Sequence, residues 1–198
     1  MPRVFATPVV LAQLLVGRVL QLGDQAVDAT AGNGHDTLYL ARRVGEQGRV
    51  YAFDIQEEAL LHTATRLRVE GFESRVVLIR AGHERLKEFV PPGIKVVMFN
   101  LGYLPGGDHQ IITHPDTTVA ALEQAADLLA PGGLVTVVVY RGHEGGGDEG
   151  RAVLRYVESL NPRQWDVILT EFPNRSPRAP FLVAFQKNSG CRGEEKVL

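Results

Sequence analysis

A chain of 198 residues, 44% apolar and 22% charged, has the make-up of an ordinary globular protein, and that length suffices for one domain that buries roughly 70% of its unfolded surface. The formal net charge of −2 excludes a surface coated in positive charge for long duplex nucleic acid, while leaving room for a local basic patch. The single cysteine, Cys191, excludes a disulfide framework and a Cys-x-x-Cys metal site, and it fits a reducing cytoplasm.

The first element is a helix over "VVLAQLLVGRVLQL", with Leu11, Leu14, Leu15, Val19 and Leu22 recurring at helical spacing as its apolar face. Gln13 and Arg18 interrupt it before the ~18 apolar residues that a membrane span needs, so no membrane association is expected. A short strand at 26–28 leads into a glycine-rich turn and the helical pattern "HDTLYLARRV". "GRVYAFDI" is a strand ending at Asp54, and "EEALLHTATRLRVEG" is a helix closed by Gly71. The alternation continues through strand "RVVLIRAG", short helix "HERLKEFVPP" and strand "IKVVMFN". A long loop then leads to helix "TTVAALEQAADLLAPGG" with a Gly-Gly stop, strand "LVTVVVYR", and helix "GRAVLRYVESL". Strands "WDVILTEF" and "PFLVAFQK" close the pattern, joined by the turn "PNRSPRAP". Residues 1–187 are expected to form one domain, with 188–198 a flexible, polar C-terminal tail.

Five β-α units followed by a hairpin predict an α/β fold: a seven-stranded, mostly parallel sheet with an antiparallel edge strand and helices on both faces. Ligands of such sheets bind beyond the carboxyl ends of the strands, where every unusual loop of this chain falls. In "DATAGNGHDT", Asp28 ends a strand while Gly32 and Gly34 let the backbone approach a ligand at a helix N-terminus. Thr37 stands where a dinucleotide fingerprint would place its third glycine, which weighs against an NAD enzyme. Asp54, twenty residues beyond Gly34, is placed either to accept both hydroxyls of a ribose or to cap the next helix. Gly82 and His83 end the third strand, with His83 read as a surface residue opening the next helix and backbone contacts as the more natural ligand interaction.

The loop "NLGYLPGGDHQIITHPDTT" is far longer than a hairpin of two to five residues and is built to hold something. The side-chain oxygen of Asn100 and the carbonyl that follows it are hydrogen-bond acceptors at the fourth strand end. Asp108 and His109 here, and His143, Glu144 and Glu149 in "YRGHEGGGDE", are the titratable groups. Asp108 is a candidate proton acceptor or else fixes the Gly106-Gly107 turn, with His143 the alternative acceptor. His109 and His114 lack a clear third ligand, so no metal is expected. Thr117 and Thr118 cap the next helix or close the pocket. Tyr103 either offers its ring face to a ligand or is buried, and Tyr140, Arg141 and Gly142 end the fifth strand as walls of a ligand site. Arg175 and Arg178 of the last turn either reach RNA phosphates or are simply solvated.

The Asp28–Gly34 turn and Asp54 resemble the glycine-rich motif and ribose acid of the class I S-adenosylmethionine (SAM) methyltransferases, with a Rossmann-like fold, and Thr30 replaces the usual first glycine. "NLGY" stands at their Asn/Asp-Pro-Pro-aromatic motif, with Leu101 and Gly102 replacing the prolines. With "DATAGNGHDT", "YRGHEGGGDE" and "NRSPRAPF", the long loop identifies the chain as a member of a bacterial family labelled "putative rRNA methylase", which includes tRNA 5-aminomethyl-2-thiouridine methyltransferases. The resemblance implies SAM as cofactor and methylation of the 5-aminomethyl group of wobble (2-thio)uridine 34, with the tRNA anticodon stem-loop as partner.

It also implies a cofactor site made from Asp28, Thr30, Gly32, Asn33, Gly34, Asp36 and Thr37, then Asp54, Ile55 and Gln56, then Gly82 and His83, and finally Asn100, Leu101 and Gly102. Asn100, Asp108 and His143 are the implied catalytic residues, and Tyr103, Asp108, His109, Tyr140, Arg175 and Arg178 the implied substrate contacts. An rRNA or other amine substrate and a non-catalytic SAM- and RNA-binding module stay as alternatives, and so do monomer and homodimer.

Overall fold

The computed structural model describes residues 7–102, 112–142 and 145–190. Seven strands, β1 (Gln25–Asp28), β2 (Arg49–Asp54), β3 (Val76–Arg80), β4 (Ile94–Leu101), β5 (Leu129–Val139), β6 (Trp165–Thr170) and β7 (Phe181–Lys187), make one sheet in the order β3-β2-β1-β4-β5-β7-β6. The strands from β3 through β5 pair in parallel. The antiparallel edge is the β6–β7 hairpin, and its reversed member β7 lies between β5 and the outermost β6.

Period-two alternation in the central strands divides the core between the two faces. Ala26, Val50, Val96, Met98, Leu134 and Val138 pack with α1 (Pro8–Val19), α2 (His35–Val44) and α3 (Glu57–Glu70). Val27, Phe53, Val97, Phe99, Val135 and Val137 pack with α4 (Leu86–Phe89), α5 (Pro115–Leu128) and α6 (Gly146–Glu158). Among the described residues no helix is long and apolar enough to cross a membrane.

Two elements depart from the pattern the sequence suggests. In α1 the fully buried positions are Ala12 and Val16, with Leu20 just past the helix, whereas Leu14 is 50% and Leu22 80% exposed. The small Ala12 lets the helix sit close to the sheet, so the larger leucines flank the contact instead of forming it. The helix also ends at Val19, before the turn in which Leu22 would have joined that face. Similarly, Gly132 and Gly133 do not stop α5. They lie inside β5, which starts at Leu129 and slips register against β4 between Ile94 and Val96. A left-handed Gly132 (φ 71°) fits such an irregularity better than a helix end.

Candidate active site

The strand order turns back on itself between β1 and β4, and the loops leaving these two strands diverge around a cavity of about 280 Å³. Its walls come from four of the five parallel strand ends: Ala29, Thr30 and Gly32 after β1, Phe53 to Gln56 around the end of β2, Ala81 to Glu84 after β3, and Asn100 and Gly102 at β4. Ile112, Thr113, His114 and Thr117, where the chain returns into α5, close the remaining side.

The floor is a buried acid. Asp28 has no exposed surface; its carboxylate accepts the Thr37 hydroxyl at 2.6 Å and the Thr30 N–H at 3.2 Å. Burial, and then repulsion from Asp36, push this carboxyl up to about 7, against the opposing pull of those two hydrogen bonds. Thr30 does what a glycine could not, since its hydroxyl oxygen accepts the Asn100 N–H at 2.8 Å and so joins the glycine turn to the end of β4.

Asp54 braces the same turn from the other side. One of its oxygens accepts the Gly32 N–H and the other the Gln56 N–H, each at 2.9 Å, so ligand-wall and helix-entry roles coexist in one carboxylate. Burial raises its carboxyl above the usual range despite these donors. A second lone pair on each oxygen is available to the paired hydroxyls of a ribose.

Gly34 serves packing and not the pocket. Its φ of 77° is left-handed, and a Cβ there would lie 2.7 Å from the Thr63 hydroxyl oxygen and 2.9 Å from the Thr63 Cα on α3. Close helix approach is therefore what demands glycine at 34. Thr63 in turn donates to the Gly32 carbonyl at 3.1 Å, backing the turn.

His83 is only 7% exposed, which overturns its reading as a surface residue. It packs edge-on against Phe99 with ring centroids 5.7 Å apart, and burial lowers its basicity, so it is a neutral wall of the cavity. The 3-10 turn His83–Arg85 tucks it inward, a geometry that apolar periodicity does not signal.

Asn100 donates its side-chain Nδ2–H to Asp36 at 2.7 Å. Asp36, 6% exposed, also accepts from Gln13 of α1 at 2.7 Å. Gln13 had no expected role, and only the fold brings it there. Leu101 is fully buried and faces the core, while its carbonyl accepts the Tyr140 N–H at 3.1 Å. A substrate amine would have only the second lone pair of that carbonyl.

Of the residues expected at a cofactor, Thr30, Gly32, Asp54, Ile55, Gln56, Gly82, His83, Asn100 and Gly102 line the cavity. Asp28, Asp36 and Thr37 lie buried beneath it, and Leu101 is in the core. Asn33 sits on the outer side of the turn, where its carbonyl accepts from Arg66 at 2.8 Å, beside a separate surface hollow with His35 and His62. Tyr103, Asp108, His109 and His143 lie outside the described residues.

Sequence reasoning named Glu149 only as one titratable group among several. It is 1% exposed and accepts the hydroxyls of Thr113 at 2.7 Å and Thr118 at 2.6 Å, tying the returning loop to α6. Thr118 is therefore a buried strut, while Thr117 reaches back to the His114 carbonyl at 3.0 Å and touches the cavity. Tyr140 is 39% exposed at the end of β5, its phenol made less acidic by burial and by the Asp36 charge. Arg141 holds the last turn through the Ala179 carbonyl and a 3.0 Å ion pair with Glu171. In that turn Arg175 stacks over Phe172 at 3.8 Å, and Arg178 is exposed. Among the described residues no group of three or more His, Cys, Asp or Glu is placed to hold a metal.

A 3-2-1-4-5-7-6 sheet, an acid at the end of β2 and a cavity at the β1–β4 reversal define a class I SAM-dependent methyltransferase. The family model described as "Putative rRNA methylase" matches residues 50–186. The chloroplastic tRNA (mnm(5)s(2)U34)-methyltransferase of Arabidopsis thaliana is 41% identical over 183 residues, which is 87% of this chain and 66% of that protein.

Among solved structures, a "putative rRNA-methylase" from Clostridium thermocellum is 40% identical with a TM-score of 0.90, over 92% of this chain and 98% of that one. A "putative methyltransferase" from Streptococcus mutans, solved in complex with SAH, is 36% identical with a TM-score of 0.84, over 94% of this chain and 99% of that one. The chain belongs to the "Putative rRNA methylase" family; it is a SAM-dependent methyltransferase, and SAM is its cofactor.

Proposed function

We propose that this enzyme, as a single domain of residues 1–187 in the cytoplasm, methylates the 5-aminomethyl group of wobble (2-thio)uridine 34 in tRNA to 5-methylaminomethyl. The carrying observation is the position of Asn100, on the lip of the cofactor cavity with its amide nitrogen engaged by Asp36. Its carboxamide oxygen is the edge suited to accept an amine N–H and aim the nitrogen lone pair. The 41% identical plant relative, named for this nucleoside, supports the tRNA substrate.

In the reaction the neutral amine attacks the sulfonium methyl; a C–N bond forms as the C–S bond breaks, leaving SAH and a secondary ammonium that sheds a proton. An alkyl amine with a lysine-like value of ~10.4 is mostly protonated near neutrality, so it must first be deprotonated. Asp108 is assigned to bind the ammonium and accept that proton, with His143 as the alternative acceptor. Tyr103, His109 and Tyr140 are assigned to the base, and Arg175 and Arg178 to the phosphates of the anticodon stem-loop. The family description favours a second reading, an amine or base of rRNA.

Nucleoside mass spectrometry decides between the two. Purified protein and SAM are incubated with tRNA carrying 5-aminomethyl-uridine and, separately, with ribosomal RNA. Gain of one methyl on the wobble nucleoside is the expected result. Methylation of rRNA alone would overturn the tRNA assignment.

A further inference from the structure

Asp36 is a buried carboxylate in the first turn of α2, and a nearby helix N-terminus would account for an acid there without further purpose. Its two partners require more. One oxygen accepts from Gln13 Nε2 and the other from Asn100 Nδ2, both at 2.7 Å, so the acid is clamped between a helix 23 residues upstream and the strand end that borders the cavity.

A carboxylate only accepts hydrogen bonds, whereas a carboxamide has one donating and one accepting edge. Asp36 therefore selects the NH2 edge of Asn100 and turns the oxygen edge away from itself. The reverse orientation would bring two oxygens together at hydrogen-bond distance and leave a buried charge without its donor. The bond also draws electron density toward the Asn100 oxygen, making it a better acceptor.

We infer that Asp36, held by Gln13, is a positioning residue that fixes the rotation of the Asn100 carboxamide and presents its oxygen to the substrate amine; this rests on the proposed amine-methylating function. The acid acts through Asn100 and touches neither the substrate nor SAM. Gln13 keeps the carboxylate from rotating toward Asn100 with its charge misaligned.

The test compares wild type with Asp36→Asn, Gln13→Leu and the reciprocal double variant Asp36→Asn/Asn100→Asp, in single-turnover methylation and in SAM titrations. Asp36→Asn allows the two facing amides to pair either way, and kcat is expected to fall on the order of 100-fold, the usual consequence of misplacing a reacting group, with the SAM Kd within about 3-fold. The double variant recreates the pair with donor and acceptor exchanged and keeps an acceptor oxygen in the site. It should recover about 10-fold over Asp36→Asn, which a merely structural role for Asp36 does not predict.

A second readout needs no turnover. In 15N-labelled protein the Asn100 side-chain protons, identified by their loss in Asn100→Asp, should exchange with water about 10-fold faster in Gln13→Leu and Asp36→Ala than in wild type. Unchanged exchange in both variants overturns the inference, as does normal turnover in Asp36→Asn. Wild type that methylates no RNA amine would sink the proposed function alone, because the exchange measurement still decides the Asp36–Asn100 bond.

Discussion

Replacing Asp54 by Asn changes one atom and should cost the enzyme most of its cofactor affinity. Each carboxylate oxygen already accepts one backbone N–H, from Gly32 or from Gln56, and each keeps one lone pair for a ribose hydroxyl. Asparagine leaves one accepting oxygen and sets its NH2 against one of the two N–H donors, so one ribose hydroxyl loses its partner and the other loses a charged acceptor. A hydrogen bond to a charged group contributes about 1.5–3 kcal/mol, which corresponds to a SAM Kd raised roughly 10- to 150-fold. Calorimetric titration with SAM and with SAH reads this directly, and both should weaken alike because they share the ribose. Burial raises the Asp54 carboxyl, so wild-type affinity should fall as pH drops through that raised value, while the variant stays flat. A Kd within 3-fold of wild type, or a loss confined to SAM, would refute the ribose assignment.

Two further outcomes concern stability. Gly34→Ala should lower stability by about 2–4 kcal/mol, combining the left-handed backbone with the approach to Thr63, and so lower Tm on the order of 5–15 °C; a change under 2 °C would show that α3 yields easily. Asp28 has a folded-state value of about 7 against an unfolded value near 3.8, so the native state holds the extra proton between these limits and wild type loses stability as pH rises through them. Urea unfolding at pH 5 and pH 8 should show wild type losing about 2–3 kcal/mol relative to Asp28→Asn, since about two of the pH units separating the folded and unfolded values lie above pH 5, and parallel profiles would contradict the buried charge.

The architecture was legible because each central strand is a short apolar run and each helix follows a glycine or acid at the strand's carboxyl end. Asp28 and Asp54 could be placed by that spacing alone. His83 could not, since its burial depends on a 3-10 turn that folds it under Phe99. Gln13 and Glu149 were equally opaque as partners: a polar residue on an amphipathic helix and an acid in a glycine-rich stretch both look solvated until Asp36, Thr113 and Thr118 arrive from distant parts of the chain. Hydrogen bonds across such separations leave no periodic trace. The start of β5 was missed for a related reason, because the Gly-Gly pair that suggests a helix stop is used as a strand irregularity instead.

The two departures from the wider methyltransferase pattern belong to one mechanical arrangement. With a glycine at 30, the cofactor turn and the end of β4 would meet without a side-chain link; Thr30 supplies one by accepting the Asn100 N–H while its own N–H points to Asp28. Without the prolines after Asn100, the backbone there is less stiff, and its position must be fixed in another way. It is fixed by neighbours: Thr30 holds the Asn100 amide, Asp36 its side chain, and Tyr140 the Leu101 carbonyl. Two of these bonds, from Thr30 and Asp36, join β4 to segments that border or underlie the cavity, so under the proposed function the group that would aim the acceptor and the turn beside the donor are set by the same contacts. A rigid proline pair orients its asparagine locally, whereas this chain orients Asn100 through the cofactor turn itself.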